Sequence, residues 1–368
     1  MKKKKVRSIS LGTHTNIPGL LYHPESLAKW MKGEYFPPLY VEISPTTRCN
    51  HNCSFCYVNY VREDKMSIPE DLLIKIFRDL GKAGVKACEL QGTGEPLLNK
   101  GVPDAIVAGK EEGMDICLVT NGSLFTEDKL EKIIPCLSFC RFSSLECSPK
   151  LYARTHGVPE ENYNKAITAL KTAIKIKERD KLDTVIVATF TAFEYNISHI
   201  VETTQMVKDI GVDIFTIKPA LRILSNPGHE NLDVGLHEKY ADLLNEAKSL
   251  SNENFKFNIR DDMFVYSQDP SSVEIDFETC YGVEFEILID ADAKIYPCMC
   301  HWRDERYCFG DLTKNSFEEI WRSDERKKKM QQFLIDTKNP RCDTCCKQFS
   351  IHPLLNKLKN PPLHSNVI

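Results

Sequence analysis

Two periods alternate along the first two thirds of the chain. Apolar runs of strand length occur at 39–45 (LYVEISP), 85–91 (VKACELQ), 114–120 (MDICLVT), 139–145, 183–190 (DTVIVATF) and 212–218. Between them, apolar residues recur at three- and four-residue spacing over 69–82, 103–112, 126–134, 160–177 and 197–209, which predicts amphipathic helices. Ser67 and Pro69 provide a start for the first of these helices, and Asn121-Gly122 a stop for the third strand. Strands alternating with helices predict parallel pairing through crossover helices. Six such units predict an α/β fold, an open partial (β/α)6 TIM-like barrel, with its chemistry in the loops after the strand C-termini.

Beyond residue 220 the periodicity loosens. A helix is predicted over 235–250 and connection elsewhere up to 279. From 286, EILIDADAKIYPC predicts two short strands joined by a tight turn at Asp290–Ala293, followed by a helix over 316–334. The expected organisation is an N-terminal extension (1–38), the barrel (39–230), a connecting helical region (231–279), a small C-terminal β-hairpin-plus-helix domain (280–350) and a tail (351–368). There is no internal repeat and no low-complexity segment.

Composition narrows the function classes. Of 368 residues, 42% are hydrophobic and 27% charged, ordinary for a globular protein. The net charge of -4 argues against a general nucleic-acid-binding surface. The basic start MKKKKVRSIS lacks the apolar stretch of an export signal and reads as a solvated tail. No apolar run reaches the ~18 residues that span a bilayer. The expectation is a cytoplasmic protein with neither membrane nor nucleic acid as partner.

The 15 cysteines change the picture. In a reducing compartment they point to metal ligation or redox chemistry rather than disulfides. Cys49, Cys53 and Cys56 form one group; Cys280, Cys298, Cys300 and Cys308 a second; Cys342, Cys345 and Cys346 a third. Cys88, Cys117, Cys136, Cys140 and Cys147 are dispersed among apolar neighbours, where free cysteine packs as a small hydrophobe.

Cys49-Asn-His-Asn-Cys53-Ser-Phe-Cys56 is a C-x3-C-x2-C loop directly after the first strand. Three thiolates are one short of a closed tetrahedral zinc site, for which His51 is the nearby fourth candidate. Held by three thiolates, a [4Fe–4S] cluster keeps one iron open to an amine and a carboxylate from a small molecule. The second strand ends in Gln91-Gly92-Thr93-Gly94-Glu95, a turn that lets backbone approach a ligand and offers Glu95 to an ammonium group.

This spacing resembles the signature of the radical S-adenosylmethionine (SAM) superfamily. The resemblance implies Phe55 near the adenine and Gly92, Thr93, Gly94 and Glu95 as the motif holding the methionine amine, with Thr93 where a glycine is usual. It further implies Asn121 as a SAM contact, Ser144 toward the ribose or carboxylate, and Arg154 paired with the SAM carboxylate. Asn196 and Lys218-Pro219 also stand at matching positions.

In the C-terminal part, Ile295-Tyr-Pro-Cys298, Phe309-Gly-Asp-Leu and Phe317-x-x-Ile-Trp321 resemble the twitch domain, a shortened SPASM domain. That resemblance implies a second, auxiliary [4Fe–4S] cluster on Cys280, Cys298, Cys342 and Cys345. Cys346 is an alternative to Cys345, and Cys300 and Cys308 stay unassigned. A four-cysteine zinc site fits the same spacing.

The implied chemistry is reductive cleavage of SAM to a 5′-deoxyadenosyl radical that abstracts hydrogen from a C–H bond. Two ways of quenching the substrate radical stay open. An auxiliary cluster that accepts an electron makes the enzyme a dehydrogenase of a small sugar- or cyclitol-like substrate. A thiol that returns hydrogen makes it an epimerase, with Cys147, just past the fourth strand, as the expected donor. A peptide substrate is the rival, weakened by the roughly 38 residues before the barrel, few for a leader-peptide recognition domain. A flavodoxin or ferredoxin is the expected reducing partner. A non-catalytic zinc- or cluster-binding scaffold is the alternative from another class.

Overall fold

The computed structural model describes residues 19–220, 240–260, 263, 277–338, 346, 348, 351–361 and 363. Ten strands among them form one sheet: β1 (Tyr40–Ile43), β2 (Ala87–Leu90), β3 (Asp115–Thr120), β4 (Phe139–Phe142), β5 (Val185–Ala192), β6 (Ile214–Pro219), β7 (Lys256–Ile259), β8 (Glu286–Ile289), β9 (Lys294–Tyr296) and β10 (Gly310–Asp311). Their order is β10-β9-β8-β1-β2-β3-β4-β5-β6-β7. Every pairing from β8 through β1 to β7 is parallel, and only β8–β9 and β9–β10 are antiparallel. The six predicted βα units are all present and adjacent in the predicted order.

The period of two sorts each strand into a face toward the helices and a face toward the barrel interior. Val41, Ile43, Cys88, Leu90, Ile116, Leu118, Cys140, Phe142 and Ile186 are buried in the main core. The helices Glu70–Ala83 and Val102–Glu111 pack against each other on that outer face. On the interior face, Phe139, Val187 and Ile214 form a separate small apolar cluster with Cys117 and Val185. Further along the same face stand polar residues: Glu42 and Glu89 in direct register, then Gln91, Arg141, Thr189 and Lys218. A barrel interior that is apolar at one end and polar at the other is suited to hold a polar ligand at the strand C-termini.

Three features differ from the sequence expectations. The region expected as helical connection contributes, besides the helix Ala241–Ser249, the strand β7, paired with β6. The alternation Phe255-Lys256-Phe257-Asn258-Ile259, with Phe255 and Phe257 buried, is the signal that marks it. The C-terminal hairpin is not set apart from the barrel. Its first strand, β8, lies parallel to β1 with Tyr40 opposite Glu286 and Ile43 opposite Ile289, so it extends the barrel sheet. The helix expected over 316–334 is two helices, Phe317–Arg322 and Asp324–Asp336. Ser323, extended at ψ 147°, ends the first, and its hydroxyl accepts from Arg326 N to cap the second.

The basic start of the chain lies outside the described residues, but the N-terminal extension docks from residue 19 on. Trp30, on the helix Pro24–Lys32, is buried against Tyr281 and Phe285 and donates Nε1–H to Glu284 at 2.8 Å. Leu20, Phe36, Leu39 and Leu355 complete this second core, which ties together the N-terminal segment, the start of β8 and the helix His352–Lys359. Among the described residues no helix is long and apolar enough to cross a membrane.

Candidate active site

The C-terminal ends of the strands surround an open cleft, the usual place for a ligand in a parallel barrel. Cys49, Cys53 and Cys56 line it together with Phe55, Gly92, Thr93, Gly94, Glu95 and Asn121. The predicted cysteine loop and the glycine-rich turn thus meet at one place.

Their meeting is fixed by backbone contact. Glu95 N donates to Arg48 O at 2.9 Å. A Cβ on Gly94 would stand 2.2 Å from that same oxygen and 2.6 Å from Thr46 O, so only glycine lets the turn lie against the loop. Gly92, at φ +124°, packs a hydrogen where a Cβ would sit 2.5 Å from Ser44 Cβ. On either side of Cys53, Asn52 N and Ser54 N donate to His156 O and Thr155 O at 2.9 and 3.0 Å. These bonds fasten the loop to the helix Pro149–His156.

Glu95 is buried, and burial pushes its carboxyl above the usual range. Its Oε1 accepts from Thr120 Oγ1 (2.7 Å) and Leu97 N (3.2 Å), and its Oε2 from Asn121 N (2.9 Å). With one protein donor, Oε2 retains a lone pair toward the cleft. Asn121 in turn donates Nδ2–H to Asn50 Oδ1 at 2.9 Å and accepts from Ser123 N and Ser123 Oγ. It therefore braces the cysteine loop against Glu95 as well as lining the cleft.

Two histidines stand beside the thiols. His156 Nε2–H donates to Ser144 O at 2.9 Å, which leaves Nδ1 as the acceptor, 3.2 Å from Cys53 Sγ and 3.3 Å from His51 Nδ1. Burial pushes His156 down to about 4, so its ring is neutral at pH 7. His51, Cys53 and His156 present ligand atoms within 4.8 Å of one another. Three cysteines on one cleft wall, beside a cradle in which two Cβ atoms have no room, fit a three-thiolate cluster with an iron facing the open space. Cys49 and Cys56 have no place in a two-histidine, one-thiolate zinc site.

Four predicted residues lie elsewhere. Ser144 is buried with φ +49°, and its hydroxyl is taken up by Thr191 Oγ1 at 2.5 Å; its neighbour Ser143 lines the cleft instead. Asn196 is fully buried, held by Phe193 N, Thr191 O and Glu146 Oε1. Arg154 is exposed, its guanidinium 3.8 Å over the Tyr195 ring. Cys147 does not face the barrel mouth. After the turn at Ser144, Leu145 and Glu146 point inward, and Cys147 emerges beside Glu202 and Thr203 of the helix Ile200–Ile210. Burial pushes its thiol up to about 11, which keeps it protonated at pH 7.

Sequence reasoning missed Gln91 as a cleft residue, and with it Arg141, Thr189 and Thr191. The signal was available: each is a polar residue at the interior phase of an otherwise apolar strand. His156 carried no local signal, since only the fold brings it to the cysteine loop.

The second thiol group lies in the C-terminal part. Cys280 precedes β8, Cys298 follows β9, and Cys300 sits two residues on. Cys298 hydrogen-bonds Cys300 and is raised by the nearby Cys346, Cys346 is raised by Cys300 and Cys280, and Cys280 by Cys300. Burial also pushes these thiols up, Cys280 to about 11. Buried thiols that raise one another's pKa are satisfied by a cationic centre that takes them as thiolates. Cys300, left unassigned by the sequence, belongs to this group. Cys308 does not, its Sγ donating to Gly310 O. Cys342 and Cys345 lie outside the described residues.

Comparisons with known proteins agree with this geometry. Residues 43–207 match the model of the radical SAM superfamily, and residues 280–347 that of the SPASM iron–sulfur cluster-binding domain. Over 89 residues the chain is 36% identical to an S-adenosylmethionine-dependent nucleotide dehydratase of Lacinutrix mariniflava, a match spanning 23% of this chain and only 18% of that protein. It is 22% identical over 333 residues, 87% of this chain and 75% of the other, to the sporulation killing factor maturation protein SkfB of Bacillus subtilis. Among solved structures, Streptococcus suis SuiB bound to its precursor peptide SuiA superposes with a TM-score of 0.63 at 17% identity, over 89% of this chain and 76% of that one. The cysteine-lined cleft at the strand ends, the second thiol group and both domain matches lead to one statement: the chain is a member of the radical SAM superfamily, with a SPASM-type iron–sulfur domain at its C-terminal end.

Proposed function

We propose that this enzyme removes hydrogen from a C–H bond of a polar substrate and completes a net two-electron oxidation by passing an electron to its auxiliary cluster. The observation that carries the reading is the gathering of Cys280, Cys298, Cys300 and Cys346 in a domain whose first strand is registered directly on β1, the strand that leads into the catalytic cysteine loop. When bound, the first cluster and SAM supply the 5′-deoxyadenosyl radical that abstracts the hydrogen.

The chain's own residues bind, orient and exclude water. Cys49, Cys53 and Cys56 hold the cluster, and the glycine-rich turn holds the methionine end, with Glu95 Oε2 toward the amine. The interior wall of Gln91, Arg141, Ser143, Thr189 and Thr191 receives the substrate. Nothing about Cys147 favours an epimerase, because its thiol faces the helix Ile200–Ile210 rather than the cleft.

A sugar- or cyclitol-like molecule fits the polar wall. A peptide side chain is the second reading, favoured by the names of two relatives: SkfB is a maturation protein, and SuiB has been solved with its precursor peptide. A low-potential flavodoxin or ferredoxin would supply the electron for SAM cleavage, in keeping with a cytoplasmic setting. The test is anaerobic reconstitution followed by iron analysis and dithionite-driven SAM cleavage. About eight irons per chain and release of 5′-deoxyadenosine are expected. Bound zinc without deoxyadenosine would return the chain to a non-catalytic scaffold.

A further inference from the structure

The interior wall holds one polar group that the fold leaves unanswered. Gln91 is buried at 8% exposure and lines the cleft. Arg141 Nη2 donates to its Oε1 at 3.1 Å. A guanidinium has no acceptor, so the amide atom facing it must be the carbonyl oxygen, and the orientation of the carboxamide is fixed. The NH2 group then faces away from Arg141, and Gln91 Nε2 has no acceptor among the described residues. A buried unmade donor costs about 1–3 kcal/mol, so one that persists at a cleft wall calls for a ligand.

Arg141 supplies the second half. It rises from β4, Nη2 also lies 3.5 Å from Glu89 Oε1, and about a third of its side chain is exposed to the cleft. Glu89 and Gln91 both hold Nη2, and the side chain that carries it lines the cleft. We propose that Arg141 and Gln91 form a subsite for a substrate carboxylate. The guanidinium and carboxamide N–H groups donate to the two oxygens, and Thr189, whose hydroxyl accepts from Ser144 N at 2.9 Å, has its own proton for the same ligand. Glu89 beside the guanidinium leaves the pair close to neutral, which suits a monoanion better than a phosphate dianion.

This assignment deepens the proposed function and rests on its reading of the cleft as the substrate site, yet the two fail separately. Deoxyadenosine formation by the wild type tests the function; carboxylate binding needs no turnover. The reconstituted, SAM-loaded protein is titrated calorimetrically with glutarate, neutral glutaramide, inorganic phosphate and a capped glutamate (N-acetyl-glutamate N-methylamide). Gln91→Leu and the double variant Arg141→Gln/Glu89→Gln are compared with the wild type; the double variant strands no buried carboxylate. Far-UV circular dichroism and iron content check that each is folded.

The wild type should bind glutarate or the capped glutamate, and each variant should bind it at least about tenfold more weakly, the share of one charge-assisted hydrogen bond. Tighter binding of the capped glutamate assigns the carboxylate to a peptide side chain, and tighter binding of glutarate to a small acid. Equal binding by wild type and variants, equal binding of glutaramide, or a preference for phosphate would overturn the subsite. So would a loss confined to SAM affinity, which would give the two donors to the cofactor.

Discussion

Cys49, Cys53 and Cys56 lie within eight residues, and backbone bonds tie their loop both to the glycine-rich turn and to the helix Pro149–His156. Cys280, Cys298 with Cys300, and Cys346 come from three separate stretches and are gathered through the hairpin β8–β9 and the short turn after it. The first site is therefore over-determined locally, with bonds from Glu95 N to Arg48 O and from Asn52 N and Ser54 N to the helix Pro149–His156. The second depends on one turn holding its shape. The first centre should therefore be lost only to a change that displaces its backbone, whereas changes in the hairpin should loosen the second and spare the first.

The largest effect is expected from Gly94→Ala. Its Cβ would overlap Arg48 O and Thr46 O, backbone atoms that cannot rotate away. Overpacking costs roughly 1–3 kcal/mol even where side chains can yield, and more here. Reconstituted protein should lose about half of its roughly eight irons together with deoxyadenosine formation, the remainder staying on the second group. Retention of full iron and SAM cleavage would show that the contact does not hold the loop. The next step down compares two cysteines that look alike in sequence. Cys300→Ser should lower iron by up to about four per chain and spare SAM cleavage, whereas Cys308→Ser should leave iron unchanged. Equal losses would break the distinction between them.

A smaller effect should come from Arg303→Met. Asp290, at the hairpin turn, is fully buried, and Arg303 Nε meets its Oδ2 at 2.7 Å. Removing the cation leaves a buried carboxylate with no counter-charge and only a backbone bond from Ala291, at a cost of about 3–5 kcal/mol, lowered here because Arg303 is partly exposed. Stability measured by hydrogen exchange should fall in β8 and β9 and not in β2 to β4. A uniform fall would mean that the hairpin and barrel unfold as one unit, as their shared sheet would allow.

Much of this was legible beforehand. The parallel order of β1 to β6 followed from period alone, because strands buried on both faces are nearly continuous apolar runs. The cysteine loop and the glycine turn were legible because both are local: the chemistry sits in consecutive residues. The failures share a cause. Ser144, Cys147, Arg154 and Asn196 follow strand ends, where a single backbone turn decides which side chain faces inward, and Ser144 at φ +49° reverses that choice. β7 showed only the brief alternation Phe255-Lys256-Phe257-Asn258-Ile259 inside an otherwise irregular region, and β8 gave no sign that its partner would be the distant β1. Gln91 and Arg141 were visible as polar residues at interior positions, but the fact that one orients the other is a contact, which no period encodes.

The smallest effect separates a burial cost from a function at the edge of the first site. Glu146 is 1% exposed, and Oε1 accepts from both Thr155 Oγ1 and Asn196 Nδ2, while Oε2 has no partner among the described residues. Burial raises its carboxyl above the usual value, against the opposing pull of those hydrogen bonds. A raised carboxyl adds stability below the unfolded value of about 4.3, and that stability is lost as pH climbs through the folded value. Glu146→Gln keeps Oε1 as acceptor and removes the charge, so it does not take part in that loss. The variant should match the wild type near pH 4 and gain on it toward pH 8, each tenfold weakening of the acid corresponding to about 1.4 kcal/mol. Thermal midpoints at the two pH values read the difference directly. A variant less stable than the wild type at pH 8 would mean that the charge is held by a favourable partner, and that Glu146 belongs with the site's working residues rather than with the frame around them.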